Sequence, residues 1–173
     1  MPSRPAETEY ASFYNGYIAL VTEENILDAL SNQIVEMRQL FGSASPAQET
    51  HRYAPGKWSV REMLGHIGDA ERVFGYRALT FSRGAQTPLP GFDENEFVAT
   101  ANFDQRSLTS LLQEFIYLRE ANLAMLRPLD NTAWKRTGTA NNAQISVRAL
   151  AYIMVGHARH HLNILRERYG IGT

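Results

Sequence analysis

The sequence contains no cysteine among its 173 residues, and this absence removes several kinds of chemistry at once. Disulfide bonds, thiolate metal ligands and a cysteine nucleophile are all excluded. Any metal site must therefore use histidine, aspartate, glutamate, backbone carbonyls or water as ligands.

The sequence also lacks a long apolar run and a strong excess of charge of either sign. The apolar stretch near the C-terminus, ALAYIMV at residues 149–155, is far shorter than the roughly 20 residues that cross a bilayer. The first ten residues, MPSRPAETEY, contain no apolar core typical of a signal peptide. The formal net charge of −1 provides no phosphate-neutralising surface. We therefore expect a cytoplasmic protein that binds neither membrane nor nucleic acid.

Four long segments have apolar residues at the three- and four-residue spacing of amphipathic helices. They are residues 24–42, 58–84, 107–127 and 145–170. Ser59 and Glu62 form a capping-box pattern at the start of the second segment. Gly42, Gly84 and Gly170 end three of the segments, and Pro128 stops the other. A short helix is also expected at residues 93–101, and no segment predicts a strand.

These segments predict an all-α fold, a four-helix bundle with long connections. The length predicts one domain over residues 1–173, in which about residues 1–9 form a loose N-terminal lead. The segment EYASFYNGYIALV, residues 9–21, is rich in aromatic residues and is a weak helix at best because it contains Gly16. Its aromatic side chains either wall a pocket or pack in the core.

Three of the five histidines lie within MVGHARHHLNIL, residues 154–165. Each helical residue turns about 100°, so His161 lies about 40° from His157, and both point to the apolar face. His160 lies about 60° to the other side of His157, at the flank of that face. His157 and His161 can therefore reach one metal ion, or each can be a buried histidine that hydrogen-bonds to a carbonyl.

The motif H-x-x-x-H alone does not identify a zinc protease. In that class a glutamate follows the first histidine and acts as the general base. Here Ala158 occupies that position. The sequence therefore disfavours a protease of this type.

His66 in the second long helix is the candidate third metal ligand, because bundle metal sites are built from facing helices. Gly65 precedes it as Gly156 precedes His157, and a glycine inside a helix costs about 1 kcal/mol relative to alanine. This repeated cost suggests a close backbone approach or open space at both turns, or helix packing through small residues. Asp69 either orients an imidazole or is a solvated surface residue, and His51 is expected to be exposed.

Three stretches of the sequence resemble the DinB/YfiT-like superfamily. They are residues 53–79, residues 87–92 (TPLPGF) and residues 146–170. The pattern W-S-x-x-E-x-L-x-H ends at His66, and H-x-x-x-H follows some ninety residues later. The resemblance covers nearly the whole chain from about Tyr10 onward. The order and spacing of the two blocks make it far more specific than H-x-x-x-H alone.

The resemblance implies an up-down-down-up four-helix bundle that is often a homodimer. It implies a divalent metal, zinc or nickel, held by three histidines that map onto His66, His157 and His161. Characterised relatives include S-transferases that use bacillithiol or mycothiol and a mycothiol-dependent maleylpyruvate isomerase. Many other members are described as metal-dependent hydrolases on the analogy of the fold.

These relatives imply a metal-dependent transferase or hydrolase in which an activated low-molecular-weight thiol or water attacks a small electrophilic substrate. The alternatives are a non-catalytic stress-response bundle that binds a metal or small ligand, and a structural dimer whose histidines bind nothing strongly. Four arginines are candidates for holding a carboxylate-rich cofactor, although arginines are common on helix surfaces. They are Arg77, Arg106, Arg148 and Arg159.

Overall fold

The structure is a computed structural model that describes residues 2–172. The four long helices are α2 (Ile26–Gly42), α4 (Val60–Ser82), α6 (Leu108–Leu126) and α8 (Val147–Tyr169). The short helices are α1 (Asn15–Ala19), α3 (Pro46–Glu49), α5 (Glu94–Ala101) and α7 (Asn131–Lys135). In addition, 3-10 turns occur at Glu7–Glu9, Ser12–Tyr14 and Phe103–Gln105. None of the helices in residues 2–172 is long and apolar enough to span a membrane.

The four long helices surround one apolar interior. Helix α4 packs against α6 and α8, and α2 packs against the same two helices. This arrangement places α2 diagonally across the bundle from α4, although these two long helices follow one another in the chain. The connections from α2 to α4 and from α6 to α8 therefore join helices that lie diagonally across the bundle, whereas α4 and α6 are neighbours.

The helix starts are fixed by the caps that the sequence predicts. At α4, Ser59 Oγ accepts a hydrogen bond from the Glu62 N–H (3.0 Å), and Glu62 accepts one from the Ser59 N–H (2.7 Å). Ser146 Oγ caps α8 by accepting from the Ala149 N–H (3.1 Å). Gly170 ends α8 at a φ of 63°, a left-handed conformation that favours glycine. These caps set the positions along α4 and α8 from which the histidines project.

The expectation that the chain contains no strand is wrong. Strands β1 (Thr137–Ala140) and β2 (Ala143–Ser146) form an antiparallel hairpin immediately before α8. The two turn residues, Asn141 and Asn142, have φ values of 49° and 60°. Asparagine tolerates this conformation, and two consecutive positive φ values are typical of a two-residue hairpin turn. The Asn-Asn pair was therefore the local signal for this hairpin.

The N-terminal residues differ from the loose lead that the sequence predicts for about residues 1–9. The Arg4 guanidinium donates hydrogen bonds to the carbonyls of Ile18 (2.6 Å) and Val21 (2.7 Å). Glu9 pairs with Arg148 of α8 (2.7 Å). Residues 2–9 are thus attached to the bundle by an ion pair and by hydrogen bonds to backbone carbonyls. Such contacts need no periodic apolar pattern in the sequence, so periodicity could not predict them. Met1 lies outside the described residues.

Candidate metal centre

The structure brings together the three histidines that the sequence predicts to converge. His66 projects from α4, and His157 and His161 project from successive turns of α8. The Nε2 atom of His66 lies 3.0 Å from that of His157 and 3.1 Å from that of His161. The Nε2 atoms of His157 and His161 are 3.1 Å apart. One ligand nitrogen from each histidine therefore faces a common point.

The spacing of these nitrogens fits a single divalent ion. Two nitrogens that each lie about 2.1 Å from one ion are separated by about 3.0 Å at a right angle and by about 3.4 Å at a tetrahedral angle. The observed separations of 3.0 to 3.1 Å lie at the lower end of this range. Three imidazoles are also a donor set that suits several divalent transition metals.

Hydrogen bonding among the three rings alone does not satisfy this cluster. In a neutral imidazole, each Nε2 is either a protonated donor or an acceptor with a lone pair. Among three such atoms at least two are of the same kind, so at least one of the three close contacts joins two donors or two acceptors. A cation that receives all three lone pairs removes this conflict.

All three rings are held in the neutral form that a metal ligand requires. They are buried, with 5–7% of their surface exposed. Burial, with a smaller contribution from His160, lowers the pKa of His66 to about 4. Burial also lowers the pKa of His157 and His161 well below the usual range. The rings therefore present lone pairs at neutral pH.

The other ring nitrogen of His161 is a buried orphan. Within residues 2–172, His161 Nδ1 has no hydrogen-bond partner. Burying this nitrogen without a partner costs free energy. Asp69, which the sequence offered as an orienting carboxylate, does not supply a partner. It lies 3.6 Å from the Arg72 guanidinium on the same helix.

The glycines before His66 and His157 both allow close approaches, but only the one at Gly156 is the backbone approach that one of the sequence interpretations predicts. A Cβ on Gly65 would lie 2.5 Å from the Phe103 ring. A Cβ on Gly156 would lie 2.0 Å from the carbonyl oxygen of Tyr17. The second approach brings the backbone of α1 directly onto α8, one residue before a candidate ligand.

A cavity of about 190 Å³ opens from the three histidines towards solvent. The Tyr17 ring meets the His157 ring edge-on at 5.4 Å, and Phe74 does so at 5.6 Å from another side. The Trp58 ring lies 4.7 Å from His66. Phe13, Tyr14 and Phe92 complete the aromatic wall. Most of the N-terminal aromatic side chains thus line the cavity, whereas Tyr10 packs in the core.

A second cavity of about 250 Å³ lies beside Trp58 and also reaches His161. Its lining includes Tyr53, Lys57 and Tyr169. Trp58 lines both cavities, so two small molecules could approach the histidines from different directions. The role of Trp58 and Phe74 in the site was not predicted from the sequence, although Trp58 opens the motif that ends at His66.

The remaining histidines stand apart from the cluster. His160 is half-buried beside the rings of Tyr17 (5.3 Å) and His161 (5.0 Å), which agrees with its predicted place at the flank of the apolar face. His51 is exposed, as expected, and its ring lies 6.1 Å from that of Tyr169. Neither residue belongs to the group of three nitrogens.

Three of the four candidate arginines are occupied elsewhere. Arg148 pairs with Glu9, Arg159 with Glu23 (2.7 Å), and Arg106 with Glu114. Arg77 lines the cavity above the histidines.

Comparisons with known proteins agree with this architecture. A search of curated proteins finds no match to the chain. Among solved structures, the chain is similar to YfiT from Bacillus subtilis, described as a probable metal-dependent hydrolase with an unusual four-helix bundle topology. The TM-score is 0.73 at 19% identity, over 98% of this chain and 94% of that one, so the two share the four-helix bundle fold. The sequence profile of the DinB superfamily matches residues 29–165, and the chain therefore belongs to the DinB superfamily.

Proposed function

We propose that this protein is a divalent-metal-dependent enzyme in which an activated water or low-molecular-weight thiol attacks a small electrophilic substrate. The observation that supports it is the set of three Nε2 atoms 3.0–3.1 Å apart at the inner end of a cavity. Three protein ligands with further positions open are typical of catalytic rather than structural metal sites.

His66, His157 and His161 would hold the ion, and zinc or nickel suits three imidazole ligands. When bound, such an ion supplies Lewis acidity, which lowers the pKa of a water or thiol towards neutrality. The absence of cysteine means that a thiol nucleophile has to come from outside the chain.

The chain's own residues bind and orient the reactants and exclude bulk water. Tyr17, Phe74 and Trp58 surround the imidazoles with apolar surface, so charge at the site is poorly screened. The cavities beside Trp58 give separate routes to His161, which suits a reaction between two small molecules. Hydrolysis differs from thiol transfer because its second reactant is water, so only one of the two cavities has to admit an organic molecule.

The experiment is metal analysis followed by turnover measurements on protein purified without a histidine tag. We expect about one zinc or nickel ion per chain. A panel of electrophilic esters, amides and epoxides is then tested with water alone and with added thiols. His161→Ala should abolish both metal binding and turnover, whereas His51→Ala, which alters an exposed histidine, should retain both.

The outcomes separate the alternatives. Metal binding without turnover across the panel would contradict the enzyme and favour a non-catalytic metal- or small-ligand-binding bundle. A chain that binds neither zinc nor nickel would contradict the proposed metal centre itself.

A further inference from the structure

Arg77 is a buried cation on α4 that has no carboxylate within 4.0 Å among residues 2–172. Only 3% of its surface is exposed. Its Nη2 donates a hydrogen bond to the Pro90 carbonyl (2.9 Å), and this is its one hydrogen bond within residues 2–172. A guanidinium carries five N–H donors, so most of its hydrogen-bonding capacity is unused.

The other buried arginine shows what such a group normally requires. Arg119 is fully buried and binds the Glu71 carboxylate through two nitrogens, at 2.8 and 3.0 Å. In the part of the chain that the structure describes, Arg77 has no carboxylate within 4.0 Å, whereas each of the other three candidate arginines has one. A buried charge without a partner is costly. The negatively charged partner of the Arg77 guanidinium therefore has to come from a bound molecule.

The position of Arg77 defines where that partner would lie. Arg77 follows His66 by eleven residues on α4, which is three helical turns, so the two residues share one face about 16 Å apart. Helical side chains tilt towards the N-terminus, so the guanidinium leans from its Cα towards the histidines. Both residues line the same cavity. Phe74 lies on the same wall between them.

We propose that Arg77 binds the carboxylate of an elongated substrate whose opposite end reaches the histidines. This assignment rests on the proposed function for the identity of the reacting end. The planar fork of arginine matches the two oxygens of a carboxylate. Among residues 2–172, Arg77 is the one arginine or lysine that lines the cavity, and the exposed Glu94 lines it too, so the cavity carries no cluster of positive charge. A monoanion therefore fits better than a multiply charged phosphate, and the aromatic wall suits an apolar middle section.

The test compares 3-phenylpropanoate with its neutral analogue 3-phenylpropanamide. Both are titrated by calorimetry into the full-length chain after dialysis against a chelator, so that the carboxylate cannot bind a metal ion. We expect the carboxylate to bind about tenfold more tightly than the amide. Arg77→Gln should remove this preference. Arg83→Gln, which alters an exposed arginine just beyond the same helix, should retain it.

A second measurement does not depend on the folding of a variant. The Nε–Hε signal of Arg77 in a nitrogen–proton spectrum of the unmodified chain should shift on addition of 3-phenylpropanoate and not of the amide. The signal is assigned by its absence in Arg77→Lys. Equal affinities for the two probes, or an Arg77 signal that does not shift, would contradict the proposal. Arg77 would then only stabilise the segment at Pro90 through its hydrogen bond to that carbonyl. Failure of the metal analysis would leave this carboxylate preference unchanged, so the two proposals fail independently.

Discussion

His160 and His161 are adjacent in sequence but differ in what their rings face. His161 is one of the three converging residues, whereas the ring of His160 lies beside that of Tyr17, outside the cluster. His161→Ala should weaken zinc binding to the metal-free chain by more than about 100-fold, the upper end for residues that only orient a ligand. His160→Ala should weaken it by less than about tenfold. Calorimetric titration measures both, and equal losses would mean that the wrong pair has been assigned.

The buried His66 ring makes the free energy of unfolding of the metal-free protein depend on pH in a predictable direction. Burial lowers its pKa from 6.5 to about 4. In the unfolded chain the ring binds a proton near pH 6.5, so between pH 6.5 and 4 the unfolded state holds more protons. The free energy of unfolding should therefore fall as the pH decreases through this window.

Urea unfolding of the metal-free chain at pH 7.5 and 4.5 measures this loss. His66→Gln should reduce the difference between the two pH values, because its amide does not titrate. A wild-type unfolding midpoint that is the same at both pH values would argue against neutral buried histidines.

The contact between α1 and α8 makes Gly156 a sensitive position at the scale of helices. An added Cβ would lie 2.0 Å from the Tyr17 carbonyl oxygen, and backbone cannot move as easily as a side chain. Gly156→Ala should therefore displace α1 and destabilise the protein, by about 1–3 kcal/mol. Gly68→Ala is the matched control. Its nearest neighbour would be Arg72 Nη1 at 3.9 Å, so it should stabilise α4 by up to about 1 kcal/mol. Thermal unfolding of both variants measures the contrast.

The sequence predicted the long helices because their periodicity and caps are local signals. Ser59 and Ser146 cap the helices that carry the histidines, and helix geometry then places His157 and His161 on one face. The convergence with His66 could be inferred only from the resemblance and from the logic of bundles. The burial of Arg77 depends on contacts between distant segments, and no local pattern encodes them.

A buried polar network joins all four long helices at the scale of the whole molecule. Arg119 of α6 binds Glu71 of α4 and the Gln33 side chain of α2 (2.8 Å). Gln33 in turn donates to the Val155 carbonyl of α8 (3.0 Å). Arg119→Met should cost about 3–5 kcal/mol, because it leaves the Glu71 carboxylate buried without its cation. Urea unfolding checks this value.

The double variant Arg119→Met with Glu71→Gln is the control for that experiment. It removes both charges and should recover part of the loss. A double variant less stable than Arg119→Met alone would contradict the explanation by an unpaired charge.

We also propose that the chain forms a two-fold homodimer. Tyr76 and Tyr117 are 60% and 64% exposed, and both lie in surface depressions that Arg72 also lines, so they offer aromatic surface to a partner. Light scattering at micromolar concentration should give twice the chain mass of 19.5 kDa. A stable species of 19.5 kDa would contradict the dimer.

The placement of α1 against α8 has a consequence for how the protein is made. Arg159 of α8 donates to the Leu20 carbonyl across 139 positions of the sequence (2.7 Å), and Tyr17 covers His157 in the same region. Two of the three histidines lie on α8, 91 and 95 residues after His66 in the order of synthesis. Such long-range contacts form late, because the chain entropy of closing a long loop is lost before the contacts are gained. A nascent chain therefore cannot assemble the three-histidine cluster until α8 has been synthesised, so the proposed metal ion would bind after that point and could not guide the folding of the earlier helices.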